Sequence, residues 1–538
     1  LINNQHIEYN SINRENDVAE LGVGVSESDD QRINEWREHV NAHQQGGGQD
    51  RIDRQHAKGK MTAWERINTL LDADSFHELQ PYTVAHPGDK QAIPGDGVVT
   101  GFGTIDGRTV YLFAQDFTVY GGSVSLAHAR KITQVQQMAM QNGRPIIGLL
   151  DSGGARIQEG VLALQGYGEI FKLNAQSSGV IPQISVILGP CAGGAAYSPA
   201  LTDFIIMADK TSMMFITGPD VVKGVTGEEI DHQGLGGAAV HTSTSGVAHF
   251  TAQDEFSAFT QVKLLLSYIP DNNIESAPHL PTQDDPERTH QALNNLVPPD
   301  PNIPYDMSQV IENIVDSDSW FEVQAHWAQN VLIGFGRFDG QSVGIVAQQP
   351  MVMAGVIDIN ASDKISRFVR FCDAFNIPII TLVDSPGFLP GVEQEHGGII
   401  RHGAKIIYAY VEATVPKISI VTRKGYGGAY IVMGSKSLGA DIHLAWPSAE
   451  IAVMGPEGAV DILYRREISA AENSEAEREN RIHEYRTLFA NPYYPAERGI
   501  LDNIIEPAKT RPIIINALHR FREQNRNQPP KKHGNMPV

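Results

Sequence analysis

The chain has 538 residues, 41% of them hydrophobic, enough for two large domains with cores of their own. Its formal net charge is −21 and no dense run of Lys or Arg occurs, so nucleic acid and anionic membrane surfaces are excluded as expected partners. The two cysteines, Cys191 and Cys372, can build neither a zinc ribbon nor a multi-disulfide framework; with no membrane-span run and no signal-peptide core at the start, they predict a reducing, cytoplasmic setting.

Residues 1–50 are polar up to Gln44-Gln45-Gly46-Gly47-Gly48-Gln49-Asp50, which predicts a loose tail with one short helix over 30–43. Thr62-Ala63-Trp64-Glu65 has capping-box spacing, followed by Ile67, Leu70 and Leu71 on one helical face, inside a first domain expected over 51–285. Apolar runs at 110–114, 146–150 and 184–188 are bounded by turns, as in strands buried on both faces, and a helical stretch lies at 127–141. The alternation predicts an α/β fold. The stretch 281–304, rich in Pro, Asp and Asn, predicts a linker, set at 286–305. A second domain over 306–538 repeats the pattern: strands at 343–347, 379–383 and 418–421, helices at 361–375 and 398–412, then helices at 470–488 and 511–525 and an extended tail.

The second domain also repeats the letters of the first. Gly101-Phe102-Gly103 recurs as Gly334-Phe335-Gly336 and Asp151-Ser152 as Asp384-Ser385, both offset by 233 (334 − 101; 384 − 151), while Gly193-Gly194-Ala195 recurs as Gly427-Gly428-Ala429 at 427 − 193 = 234. Internal duplication predicts two related domains and two related sites.

Each Gly-Gly-Ala follows an apolar strand and precedes a helical pattern, where unpaired N–H groups with partial positive charge suit an anion or an oxygen that becomes one. Tight strand–helix packing is the other reading. The turns Asp151-Ser152-Gly153-Gly154-Ala155-Arg156 and Asp384-Ser385-Pro386-Gly387-Phe388 also end buried strands. One N–H from such a turn and one from the Gly-Gly helix would make an oxyanion hole; a β-turn closed by its own side chain is compatible with the same letters. No nucleophile elbow, phosphate-binding lysine loop, dinucleotide fingerprint or metal-binding spacing occurs. Lys131 and Lys364 match between copies (364 − 131 = 233), serving as caps or surface charge, or in the case of Lys131 as a phosphate contact. Cys191 reads as a small buried residue.

These motifs, with Ile216-Thr217-Gly218-Pro219-Asp220, Arg423-Lys424-Gly425-Tyr426 and Ala445-Trp446-Pro447, resemble the carboxyltransferase β subunit of biotin-dependent acyl-CoA carboxylases of the propionyl-CoA and acetyl-CoA type. The resemblance implies two tandem crotonase-like β-β-α superhelix domains and a homo-hexamer with active sites at a dimer interface. It implies an acyl-CoA on the N-terminal domain, its thioester oxygen held by the amides of Gly193 and Gly194, with Gly153, Gly154, Ala155 and Lys131 beside it. On the C-terminal domain it implies biotin, its ureido oxygen held by the amides of Gly428 and Ala429, with Pro386, Gly387, Phe388, Gly427 and Tyr430 around it. Substrate and cofactor would supply base and nucleophile, and no metal is implied. No Ala-Met-Lys-Met sequence occurs, so biotin is expected on a separate carrier, loaded by a separate biotin carboxylase. Ile431 stands where propionyl-preferring relatives often carry Asp, which points toward acceptance of acetyl-CoA. A decarboxylase subunit and a non-catalytic scaffold subunit are the competing readings.

Overall fold

Short aliphatic runs between turns become strands buried on both faces, and they assemble into two mixed sheets of one topology. The computed structural model describes residues 27–89, 91–521 and 531–537; the expected tail up to residue 26 and the end of the helix expected over 511–525 lie outside them. In the first half, β1 (His77–Leu79), β2 (Val98–Ile105), β3 (Arg108–Gln115), β4 (Ile146–Ser152), β5 (Gln183–Ala192), β6 (Phe204–Ala208) and β8 (Phe250–Ala252) follow one another across the sheet, and β7 (Met213–Phe215) pairs with β5. The first three strands are antiparallel and the rest parallel.

The second half orders β9 (Phe321–Val323), β10 (Val331–Phe338), β11 (Gln341–Gln348), β12 (Ile379–Ser385), β13 (Lys417–Tyr426), β14 (Ile442–Ala445) and β16 (Asn503–Ile504) in the same way, with β15 (Glu450–Ala452) paired to β13. Corresponding strands start at the offsets read from the sequence: β4 to β12 is 379 − 146 = 233 and β5 to β13 is 417 − 183 = 234. No helix among the described residues is long and apolar enough to cross a membrane.

Six helices position the first site: α1 (Glu27–Gln44), α2 (Gln49–His56), α3 (Ala63–Leu70), α4 (Leu126–Asn142), α5 (Val161–Ser177) and α6 (Gly194–Ala200). Thr62 caps α3 in the expected capping box, its side chain accepting from the Glu65 N–H while the Glu65 carboxylate accepts from the Thr62 N–H.

Three expectations need correction. The segment up to residue 50 is not loose at its end. His43 is buried and pairs with Glu78 at 2.6 Å, and a Cβ at Gly46 would stand 2.6 Å from Asp116 Oδ2, so these glycines serve a close approach of backbone that polarity alone does not reveal. The stretch expected as a linker is packed: Leu293, Val297 and Tyr305 are buried in the core of the second half, and Leu293–Leu296 is a helical turn. The helix expected over 470–488 starts later, as Ser474–Leu488, because Asn473 caps it by accepting the Ala476 N–H, and a separate helix, Arg465–Ala470, precedes it.

The halves share one core. Phe204 of β6 meets Phe371 with ring centroids 4.7 Å apart, Phe250 stacks on Phe321 at 5.0 Å, and Phe335 touches the rings of Phe204, Tyr268, Phe368 and Phe371. Such a seam makes the two sheets one cooperative body. Phe335→Ala is therefore expected to cost the whole chain about 3–5 kcal/mol, read by denaturant unfolding as a single shifted transition; a loss confined to one half, seen as two transitions, would contradict it.

Candidate active site: matched amide turns at the strand ends

In each half the pairing register of the two central parallel strands shifts near their C-terminal ends, between Leu150 and Ser152 and again between Val383 and Ser385. Ligand sites of open α/β sheets form at such ends. Gly193 leaves β5 at φ 62° and Gly427 leaves β13 at φ 56°, left-handed conformations that favour glycine. Each feeds a short helix, α6 or Gly427–Val432, whose first-turn N–H groups have no partner within the helix.

Hydrogen-bond accounting corrects which amides are available. The Gly193 N–H donates to the Phe215 carbonyl at 3.0 Å, so it cannot also serve a thioester oxygen. Gly194 and Ala195 remain, and they match Gly428 and Ala429 (428 − 194 and 429 − 195 are both 234). In the neighbouring turn the Gly153 N–H donates to the Gly121 carbonyl at 3.0 Å and the Gly154 N–H to Ser152 Oγ at 3.1 Å. Their own amides are therefore spent on holding the turn. Val124 bridges Gly154 and Arg156, and among the described residues the Ala155 N–H between them has no acceptor. Phe388 is left in the same position, because Ile357 bridges Gly387 and Leu389 while the Gly387 N–H donates to Ser385 Oγ at 3.3 Å.

The serines close the turns; the aspartates do not. In the first half the turn meets the end of β5, where a Cβ at Gly154 would press on the Ala192 carbonyl at 2.8 Å; in the second it meets the helix, where a Cβ at Gly428 would lie 3.5 Å from the Phe388 ring. Beneath each turn runs a left-handed triplet, Tyr120-Gly121-Gly122 (φ 51°, 64°, 61°) and Met353-Ala354-Gly355 (φ 50°, 54°, 75°). Three of these six residues carry a Cβ, a strain that surrounding structure must hold in place.

Asp151 and Asp384 lie behind the turns with 0% exposure. Matched glutamines, Gln115 and Gln348, accept their backbone N–H groups at 3.2 and 3.1 Å. The cations differ. Asp151 is met by Lys60 Nζ at 2.7 Å, Arg66 at 3.0 Å and Gln55 Nε2 at 3.0 Å, all from outside the sheet. Asp384 is met by Arg423 Nε at 3.0 Å and the Lys424 N–H at 3.1 Å, both from β13 itself. Burial pulls the Lys60 ammonium below its ordinary value although Asp151 opposes the shift. Sequence reading missed this network; its trace is the mismatch of Gly189-Pro190 against Arg423-Lys424 in otherwise matched strands.

Burial raises the Cys191 thiol well above its usual value and Tyr430 to about 12, and the Tyr430 hydroxyl is paired with His443 Nε2 at 3.1 Å. Among the described residues no group of three His, Cys, Asp or Glu could hold a metal ion. Lys131 is no phosphate contact: it is 1% exposed and its ammonium donates to the carbonyls of Val98 at 2.6 Å and Gly95 at 3.2 Å. Lys364 repeats this on the carbonyls of Val331 at 2.7 Å and Gln324 at 3.0 Å. Both therefore pin the start of their sheets. Ile431, 45% exposed, lies on the Gly427–Val432 helix, and half-buried Pro386 lies within the second turn.

A carboxyl transferase domain family model matches residues 54–536. The propionyl-CoA carboxylase carboxyltransferase subunit of Haloferax mediterranei is 57% identical over 512 residues, 94% of this chain and 99% of the relative. The methylmalonyl-CoA decarboxylase subunit alpha of Veillonella parvula is 58% identical over 497 residues, 92% of this chain and 96% of the relative. Among solved structures, the transcarboxylase 12S hexamer with methylmalonyl-coenzyme A and methylmalonic acid bound superposes with a TM-score of 0.92 at 50% identity, covering 96% of this chain and 100% of that one.

Asp384→Asn removes the charge that Arg423 answers inside the protein and is expected to cost about 3–5 kcal/mol in denaturant unfolding; a loss below about 1 kcal/mol would show that the pair is not desolvated. Burial lowers Lys131 to about 8 from an ordinary value of 10.5, so between these values the folded chain holds fewer protons than the unfolded one. Its contribution is complete above the unfolded value and is lost as pH falls through about 8. Comparing unfolding midpoints across that window, Lys131→Met should show a flatter rise with pH than the unaltered chain; parallel profiles would refute this.

Proposed function

Because the chain belongs to the carboxyl transferase domain family, we propose that it moves a carboxyl group between biotin on a separate carrier protein and the α-carbon of a short-chain acyl-CoA. The observation that carries this reading is the pair of matched amide sets: Ala155 with Gly194 and Ala195, and Phe388 with Gly428 and Ala429. A site of that kind stabilises negative charge on an oxygen and leaves proton transfer to what it binds.

The first set takes the thioester oxygen, whose charge grows as the α-proton leaves. The second fits the ureido oxygen of biotin, since it offers neutral donors and has a flat Phe388 ring against Gly428. Carboxybiotin, when bound, supplies the carboxyl group and the base. The chain contributes position and electrostatics: the left-handed triplets fix the turns, the buried ion pairs fix the strand ends, and the amides meet charge without reorganising. Loss of one donor costs about 10²- to 10³-fold in rate. Each half is taken as a crotonase-like domain, with 51–285 holding the acyl-CoA, 286–305 joining the halves and 306–538 holding biotin. The two sets lie on different halves, so the acyl-CoA of one subunit is served by biotin on another, in a homo-hexamer like the transcarboxylase 12S assembly.

Propionyl-CoA, giving methylmalonyl-CoA, is the leading substrate, in keeping with the names of the Haloferax relative and of the 12S complex. Acetyl-CoA is admitted by the apolar Ile431. The Veillonella relative favours a second reading, in which the same groups run the half-reaction from acyl-CoA to biotin. A scaffold role leaves two sets of unpaired amides without purpose. Purified chain mixed with free biotin and methylmalonyl-CoA or malonyl-CoA should release the thioester carboxyl only when biotin is present, and Ile431→Asp should shift the preference several-fold toward methylmalonyl-CoA. No biotin-dependent turnover would remove the proposal; an unchanged preference would remove Ile431 from it.

A further inference from the structure

Resting on that reading, we propose that Lys60 is a positioning residue for the acyl-CoA half alone, holding the Asp151–Ala155 turn in place from outside the sheet. Asp151 ends β4 and the next four residues are the turn that presents the Ala155 N–H. Its carboxylate takes Gln55 of α2 at 3.0 Å and Lys60, from the segment joining α2 to α3, at 2.7 Å. The residues at the start of α2 grip the loop beneath the turn. Arg51 donates to the Thr118 carbonyl at 2.9 Å, and Gly47 packs so closely on that carbonyl that a Cβ would collide with it. Three and four residues on, the carbonyls of Gly121 and Gly122 hold Gly153 and Ser152.

The opposite strand is shaped for this visitor. A Cβ at Gly189 would collide with the Asp151 carboxylate and stand 2.6 Å from Lys60 Nζ. The matched position in the second half, 189 + 234 = 423, is Arg423, which supplies its own cation to Asp384 and is braced by the carbonyls of Asp300 at 3.0 Å and Ile303 at 2.8 Å. The duplicated halves thus satisfy one buried carboxylate in two ways, from the N-terminal segment on the acyl side and from within the strand on the biotin side. A change at Lys60 should reach one substrate and not the other.

The test is steady-state decarboxylation of methylmalonyl-CoA with free biotin as acceptor, varying each substrate in turn. Lys60→Met is expected to lower kcat/KM for the thioester on the order of 10- to 100-fold, the scale of a turn displaced by an ångström, with the KM for biotin unchanged. Gln55→Leu keeps both cations on Asp151, so it folds even if Lys60→Met does not, and is expected to give a smaller defect of the same one-sided kind. A residue that only stabilises would reduce the active fraction and leave both KM values alone. Normal thioester kinetics in the folded variants, an unchanged thioester KM with reduced kcat alone, or a parallel change in the KM for biotin would overturn the inference. Absence of turnover by the unaltered chain would instead overturn the reading beneath it, and this inference with it.

Discussion

A carboxylate without access to water closes the second parallel strand of each half, and the geometry of both candidate sites follows from how that charge is met. Burying an ionised carboxylate costs several kcal/mol even after relaxation, and only close cations with further hydrogen bonds offset it. Asp151 receives such partners from Gln55, Lys60 and Arg66, and Asp384 from Arg423 and Lys424, which fixes the strand end and the four residues that leave it. The serine beside each aspartate then spends its hydroxyl on the turn, which leaves the Ala155 and Phe388 amides without an acceptor among the described residues. Oxyanion stabilisation of this type depends on donors that do not move when charge appears.

The shared aromatic core makes the halves one body, yet their charge networks stay local. Duplication preserved what sets geometry: the strand order, the glutamine on each aspartate N–H, the left-handed triplet and the lysine that pins the sheet onto backbone carbonyls. It let the source of the neutralising cation diverge. Where the first half keeps Gly189 and admits Lys60, the second carries Arg423, and the stretch 298–303 closes over it. The apparent linker is thereby part of the second site's support.

Much of this was legible in the letters. Offsets of 233 and 234 located both sets of paired turns, and the capping box at Thr62 and the α/β alternation follow from local rules that tertiary context did not override. Other features depend on distant partners. Whether Gly193 or Gly194 offers its amide turns on a carbonyl at Phe215, and Lys131 exchanges a surface role for a buried one because the carbonyls of Gly95 and Val98 converge on it. Polar composition made residues 43–50 resemble a tail, whereas Gly47 lets backbone approach the Thr118 carbonyl and Gly46 lets it approach the Asp116 carboxylate, which no hydrophobic count reports. The Gly189 to Arg423 mismatch was visible all along, and its meaning required knowing that Asp151 and Asp384 are buried.

The central claim is that one fold, written twice, holds two different clients on two matched sets of amides. Hydrogen–deuterium exchange followed peptide by peptide, with methylmalonyl-CoA alone and with biotin alone, tests it most directly. The account predicts that the thioester slows exchange in the peptides around Ala155 and Gly194-Ala195 while biotin slows it around Phe388 and Gly428-Ala429. Protection of the same half by both ligands, or of neither, would contradict it.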